Sequence, residues 1–200
     1  MEIRALAIPD CFLIVPNKIA DSRGHFYESL KADRLAEATG RPFSVAQTNF
    51  SVSRRGVLRG VHGVTLPPGQ AKVVTCHRGA LLDMLVDLRV GSPAYGQHVR
   101  NELDAADGAS IFIPEGVGHA FLALADDSCI GYLNSTAHVP GTQLDINPLD
   151  PELGLDWGTG TPQLSDKDRT APGLSEAKER GMLPGYAQCR QWYADLAAAG

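Results

Sequence analysis

Arg59, His62 and Lys72 fall within one stretch, residues 56–74, of sequence GVLRGVHGVTLPPGQAKVV. Each is flanked by small or apolar residues, the setting of a polar side chain aimed into a cavity rather than at bulk water. A histidine has an unperturbed pKa of about 6.5, so it can take and return a proton near neutral pH. An arginine and a lysine close by attract an anionic ligand and repel a divalent cation. Position 64, two beyond His62, is valine, so the alternate-position ligand pair of a metal-binding strand is missing. The chemistry to expect is acid–base work on a small anion, with no metal.

His119, in EGVGHAFLAL, opens an apolar run after a glycine loop, a place from which it faces a barrel mouth or merely bonds at its rim. Tyr132, beside Gly131, reads on its own as an amphipathic sheet tyrosine. His25, His77, His98 and His138 have no partners in the pattern and read as solvent-facing. The chain carries no G-x-G-x-x-G after a strand, no G-x-x-x-x-G-K-[ST] and no G-x-S-x-G, so dinucleotide, P-loop and serine-hydrolase chemistry get no support.

Strands must position these groups. Residues 56–74 read as a strand, a proline–glycine turn and a second strand. In a regular strand side chains alternate, so Arg59 and His62, three apart, would face opposite ways. Gly60 and Gly63 relax that, because a glycine inside a strand marks a bulge or a close backbone approach. We expect all three charged groups in one cavity. From 43 to 135, runs rich in Val, Leu, Ile and Phe alternate with turns such as Pro67-Pro68-Gly69 and Gly91-Ser92-Pro93. Strands at that spacing without helices between them predict an all-β fold, a cupin-type jelly-roll barrel with a few peripheral helices.

The helical spacing of residues 30–38 ends at Gly40, a C-terminal cap. Residues 136–170 are rich in Pro, Asp and Gly and are expected to cover one mouth of the barrel. Two short helices, 176–180 capped by Ser175 and 187–198, complete the chain. The domain reading is a barrel over 1–170 and a helical tail over 171–200 packed outside.

Two hundred residues suit one domain. A 44% hydrophobic and 20% charged composition is that of an ordinary globular protein. The net charge of −5 argues against bulk nucleic-acid binding. No apolar run approaches the roughly 20 residues that span a bilayer. MEIRALAIPD lacks the basic and apolar regions of a leader, so the four scattered cysteines (Cys11, Cys76, Cys129, Cys189) are expected to be reduced thiols of a cytoplasmic protein.

Seven motifs in order, DSRGHFYE (21–28), QTNFSVS (47–53), GVLRGVH (56–62), PPGQAK (67–72), VDLRVGSP (86–93), IPEGVGHAF (113–121) and LSDKD (164–168), resemble the dTDP-4-dehydrorhamnose 3,5-epimerase family over about residues 10–170. PPGQAK and the tail LSEAKERGMLPGY look like the branch serving antibiotic deoxysugars, some of whose members epimerise only C3. The resemblance implies a homodimeric jelly roll, needing no cofactor, that acts on a dTDP-4-keto-6-deoxy sugar. It matches His62 to the general base, Tyr132 to the proton donor, Lys72 to the residue beside the C4 oxygen and Asp168 to the carboxylate that orients the base. It matches Arg23, Phe26, Glu28, Gln47, Asn49, Arg59, His119 and Lys167 to positions that hold the sugar or the nucleotide diphosphate. The chain departs from the pattern at Gly63 and Val64, where relatives carry an aromatic and a polar residue, and the loss of bulk is expected to open space beside the base. It departs again at His138, the position of a base-stacking tyrosine, and at Gln143, the position of a nucleotide-contacting glutamate. The rivals are a nucleotide-sugar-binding barrel without turnover and a metal-dependent cupin enzyme.

Overall fold

The computed structural model describes residues 1–199; Gly200, the last residue of the expected tail, lies outside them. Thirteen strands run in chain order: β1 Glu2–Ala5, β2 Phe12–Val15, β3 Ile19–Asp21, β4 Gly24–Phe26, β5 Gln47–Ser53, β6 Leu58–Val64, β7 Lys72–Arg78, β8 Ala80–Asp87, β9 His98–Asp104, β10 Ser110–Ile113, β11 Val117–Ala123, β12 Ser128–Asn134 and β13 Gln143–Asp145. The helices are α1 Ala32–Thr39, α2 Asp166–Arg169, α3 Leu174–Glu179 and α4 Tyr186–Ala199, with a 3-10 turn at Pro151–Leu153. One sheet has the order β1-β2-β10-β7-β12-β5 and the second β13-β6-β11-β8-β9, while β3 and β4 form a hairpin outside both. All the strand pairings are antiparallel, the mark of the jelly roll.

The sequence of β8, ALLDMLVD, shows how the layers form. Leu81 and Leu85 point between the sheets, where they meet Val74, Ile111, Ile113, Phe121 and Ile130. Leu82, Met84 and Val86 alternate to the outer face, which no second sheet covers. Burial on both faces demands a cover. Ile146, Leu153, Trp157, Leu164, Leu174 and Ala177 supply it. This corrects the reading of 136–170 as a mouth cover throughout: its first part and α2 reach the mouth, whereas the middle pads the outer face. The tail likewise contributes Leu174 and Ala177 to the core. A third cluster, with Leu35 of α1 against Ile14, Val73 and Phe112, closes the outside of the first sheet.

Gly40 ends α1 in the left-handed region (φ 72°) and donates its N–H to Ala36. The expected cap of the next-to-last helix is wrong. Gly173 precedes α3, and Ser175 lies inside it with its hydroxyl bonded to Glu152. The four cysteines are unpaired thiols. Among the described residues no helix is long and apolar enough to cross a membrane.

Candidate active site

The interior face between the sheets changes character along its length. On β7 it runs Cys76, Val74, Lys72, and on β12 Ile130, Tyr132, Asn134, apolar at one end and polar at the other. At the polar end a cavity of about 380 Å³ opens.

Gly60 makes the decisive backbone feature. Its φ is +123°, a conformation L side chains rarely adopt, and a Cβ there would collide with Ala120. At this point the pairing of β6 with β11 slips: His62 faces His119, but Arg59 faces Phe121. Three steps along β6 thus match two along β11, a bulge whose extra residue turns Arg59 and His62 to the same face. The glycine-loosened strand expected from the sequence is this bulge.

His62 Nε2 lies 2.6 Å from Asp168 Oδ1, so Nε2–H donates and Nδ1 is the free ring nitrogen. Ser165 caps α2 by accepting the Asp168 N–H, which fixes the carboxylate in place. Burial pushes the Asp168 carboxyl up, but the hydrogen bond and charge of His62, with the Ser165 hydroxyl, outweigh it and hold the carboxyl below the ordinary value.

Lys72 is partly buried and faces the cavity from the first residue of β7. Burial lowers its ammonium to about 8, and the charge of Asp145 works against that fall. Burial and then the nearby Asp83 raise the Tyr132 phenol well above its ordinary value, with Arg59 opposing, so it is a neutral O–H at working pH. His119 is buried and shares a 2.6 Å bond between Nε2 and Asp83 Oδ2. Its ring meets that of Tyr132 edge-on, 6.0 Å between centroids. Arg59 donates from Nε to Ser53 Oγ at 3.0 Å, leaving its terminal nitrogens toward the cavity. Gln47 donates to Asn49 Oδ1 and accepts the His138 N–H, both at 2.8 Å, which ties the 136–142 loop to β5.

Of the residues singled out in the sequence, Gln47, Asn49, Arg59, His62, Lys72, His119, Tyr132, His138 and Gln143 line this cavity. Asp168 stands behind His62, and Lys167 bonds Asp145 at 2.9 Å and Gln143 at 3.4 Å. Arg23, Phe26 and Glu28 do not join them. They lie on or next to the β3–β4 hairpin, where Arg23 pairs with Asp21, Glu28 pairs with Lys31, and Phe26 is 67% exposed. The hairpin belongs to neither large sheet, and among the described residues none of its own lines this cavity.

Gly63 also corrects an expectation. A Cβ there would meet Leu144 of the outer cluster at ordinary distance, so a side chain at 63 would lean to the outer face, while Gly63 and Val64 both line the cavity. Two acids escaped sequence reasoning. Asp83 interrupts the apolar run of β8, a signal open to reading. Asp145 sits on a three-residue strand inside a Pro- and Asp-rich segment that reads as loop. His62, Asp145 and Asp168 hold donor atoms within 4.8 Å of one another, a metal-like grouping. Asp168 is spent on His62, however, and the Lys167 ammonium already occupies Asp145.

The sequence profile of one family, the dTDP-4-dehydrorhamnose 3,5-epimerases, matches residues 5–176. A dTDP-4-dehydrorhamnose 3-epimerase of Streptomyces niveus is 50% identical over 190 residues, covering 95% of this chain and 92% of that protein. The crystal structure of NovW, a 4-keto-6-deoxy sugar epimerase from the novobiocin cluster of Streptomyces spheroides, superposes with a TM-score of 0.92 at 50% identity, covering 94% of this chain and 95% of that one. ChmJ, a 3'-monoepimerase from Streptomyces bikiniensis solved with dTDP-quinovose, gives 0.93 at 39% identity over 96% and 98%.

Proposed function

This chain belongs to the dTDP-4-dehydrorhamnose 3,5-epimerase family and is a dTDP-sugar epimerase, and from that premise we propose that it inverts C3 of a dTDP-4-keto-6-deoxyhexose, with C5 open to the same chemistry. The observation that carries the mechanism is the convergence of His62, Lys72 and Tyr132 on one cavity.

The C4 ketone acidifies the hydrogens on C3 and C5, because loss of either leaves an enolate. His62 takes the proton at its free Nδ1. The bond to Asp168 fixes the tautomer and stabilises the imidazolium that forms. The Lys72 ammonium, protonated below about pH 8, stabilises charge growing on O4. Tyr132 delivers its phenolic proton to the opposite face of the carbon. The resulting phenolate and imidazolium reset by exchange with solvent. No cofactor enters this scheme.

In this reading Arg59 supplies a planar fork for the diphosphate, with Lys167 at the rim. Gln47, Asn49 and His119 hold the sugar, while His138 stacks on thymine beside Gln143 with less area than a tyrosine offers. The homodimer is supported by apolar exposure. Ile19 and Phe26 on the hairpin are 64% and 67% exposed, and Phe50 and Val52 on the edge strand β5 are 65% and 53% exposed. A second copy over that surface would cover them, and Arg23, Phe26 and Glu28 then reach substrate only in the other copy's cavity.

Incubation with dTDP-4-keto-6-deoxyglucose in heavy water, followed by proton NMR, tests the activity. Label at C3 alone means one inversion, and label at C3 and C5 means two. Saturable dTDP binding without any wash-in would leave a binding barrel and refute the proposal.

A further inference from the structure

The β3–β4 hairpin carries Arg23 and Phe26, with Glu28 just beyond it, yet it belongs to neither large sheet. Every residue from 19 to 26 is exposed, so the hairpin has no core of its own. Beside its last rung, Ile19 opposite Phe26, stand Lys18 and Tyr27, and both are half-buried. They meet the turn that joins β9 to β10. The Tyr27 ring lies so close on Gly108 that a Cβ there would be 2.6 Å from both its Cζ and its Oη. Lys18 donates from Nζ to the Ala106 carbonyl and holds its ammonium 5.6 Å from the centre of the Tyr27 ring. The His25 ring stacks on that of Tyr27, 5.8 Å between centroids.

The turn beneath them is braced. Asp104 accepts the Ala106 N–H on its carboxylate at 2.6 Å and the N–H groups of Asp107 and Gly108 on its carbonyl. Ala105 and Ala109 pack into the cluster between the sheets, against which Tyr132 also packs.

Resting on the shared-site epimerase reading above, we propose that Tyr27 and Lys18 are positioning residues for the reaction. They plant the hairpin on the β9–β10 turn, so that Arg23, Phe26 and Glu28 are held out toward the cavity of the other copy. A two-stranded hairpin alone is at best marginally stable in water. Left free it would sample many orientations, and only the fraction aimed at the other cavity could bind substrate there. The exposed side chains of the hairpin cannot limit that freedom. The Tyr27 ring, seated on a residue without a side chain and covered by a lysine, limits it at the base. Gly108 serves twice, since its φ of +66° also lets the turn form.

Full-length chains carrying Tyr27→Ala, Tyr27→Phe or Lys18→Ala test this. The first readout is KM and kcat for deuterium wash-in at C3 of dTDP-4-keto-6-deoxyglucose. The second, made without substrate, is amide hydrogen exchange across residues 18–28, followed by mass spectrometry. In Tyr27→Ala the hairpin amides exchange faster and KM rises about tenfold, as for a binding-competent fraction cut to about a tenth, while kcat stays within about twofold of wild type. Lys18→Ala does the same to a smaller degree. Tyr27→Phe keeps the ring and restores both readouts toward wild type. A heterodimer of a Tyr27→Ala chain with a His62→Ala chain, isolated by two affinity tags, locates the effect. One of its cavities combines an intact base with an intact hairpin from the other chain, so it shows the wild-type KM and half the wild-type kcat per dimer.

A wild-type KM in Tyr27→Ala, or unchanged exchange of its hairpin, overturns the proposal. So does a heterodimer that keeps the raised KM, since Tyr27 would then serve the cavity of its own chain. Should Tyr27→Ala not fold, Lys18→Ala takes its place in every arm. A wild type that washes in no deuterium refutes the epimerase reading, and hairpin exchange then still decides whether Tyr27 and Lys18 anchor the hairpin. A wild-type monomer refutes the shared site and the proposal with it.

Discussion

Two imidazole–carboxylate pairs of equal length, 2.6 Å, face each other across neighbouring strands: His62 with Asp168, and His119 with Asp83. Their surroundings differ. The His62 side chain is 34% exposed, and its carboxylate arrives from a helix 106 residues further on. His119 is 4% and Asp83 0% exposed, and both belong to strands within one sheet. Asp83 also keeps one oxygen without a partner, as does the side-chain nitrogen of Asn101, its neighbour across β9. Bond length alone therefore does not mark a catalytic dyad. A ring that trades protons with a ligand needs a free nitrogen toward the cavity and a carboxylate fixed behind it, and the first pair has both. The second is a buried joint inside the sheet whose ring meets Tyr132 edge-on.

Replacement of each histidine separates the two. His62→Ala should cost about 10²-fold to 10⁴-fold in the rate of deuterium wash-in, the range of a positioned general base, with a smaller loss of stability than His119→Leu because the His62 side of its pair is open to water. His119→Leu should cost stability foremost. It leaves the Asp83 carboxyl without its partner in the core, a loss of about 3–5 kcal/mol read by urea unfolding. The double variant Asp83→Leu/His119→Leu removes both charges and should recover a good part of that stability. The contrast breaks if the single variants lose activity and stability in the same proportion.

The sequence exposed the chemistry of the first pair better than its geometry. Arg59, His62 and Lys72 stood together in one stretch, and Gly60 warned that simple alternation would fail there. The bulge it makes explains why residues three apart share a cavity. Asp168 was legible only through the LSDKD resemblance, because no local pattern says that a four-residue helix will reach a strand 106 residues earlier. The second pair was half visible: His119 was noticed, but Asp83 hid inside an apolar run. The short strands β3 and β13 were missed for a common reason. Three residues cannot show a two-residue period, and pairing with a partner, rather than propensity, makes them strands. Ser175 looked like a cap because serine before a helical run usually is one. Packing of Leu174 into the outer cluster instead drew the helix start two residues earlier.

Lys72 sharpens the contrast, because it too is a charge held near the core at a cost. Its folded value of about 8 lies below its ordinary 10.5, so the unfolded chain binds its proton more tightly. The penalty is therefore fully present below pH 8, shrinks as pH rises from there and is gone above 10.5. Lys72→Met should lose most of the deuterium exchange yet stabilise the protein at pH 7 by about 1–3 kcal/mol, raising its melting temperature by several degrees. No gain on removing this charge would mean that Asp145 compensates its burial in full.

The smallest effect expected is on the acid side of the first pair. The Asp168 carboxyl sits below its ordinary 3.8 because the bonds from His62 and Ser165 outweigh burial. A carboxyl depressed in the folded state adds stability that is complete above its unfolded value and is lost as pH falls through the folded one. Asp168→Asn removes that group, so its unfolding free energy should fall less steeply than that of wild type as pH drops below 4. Urea titrations at a series of pH values between 2 and 5 measure the slope. Asp83→Asn is the control within the comparison, since its carboxylate also bonds a histidine, His119, at 2.6 Å in a drier place. If Asp168→Asn keeps the full wild-type slope, the half-exposed pair is loose in solution, and the free Nδ1 of His62 is not held where the base is needed.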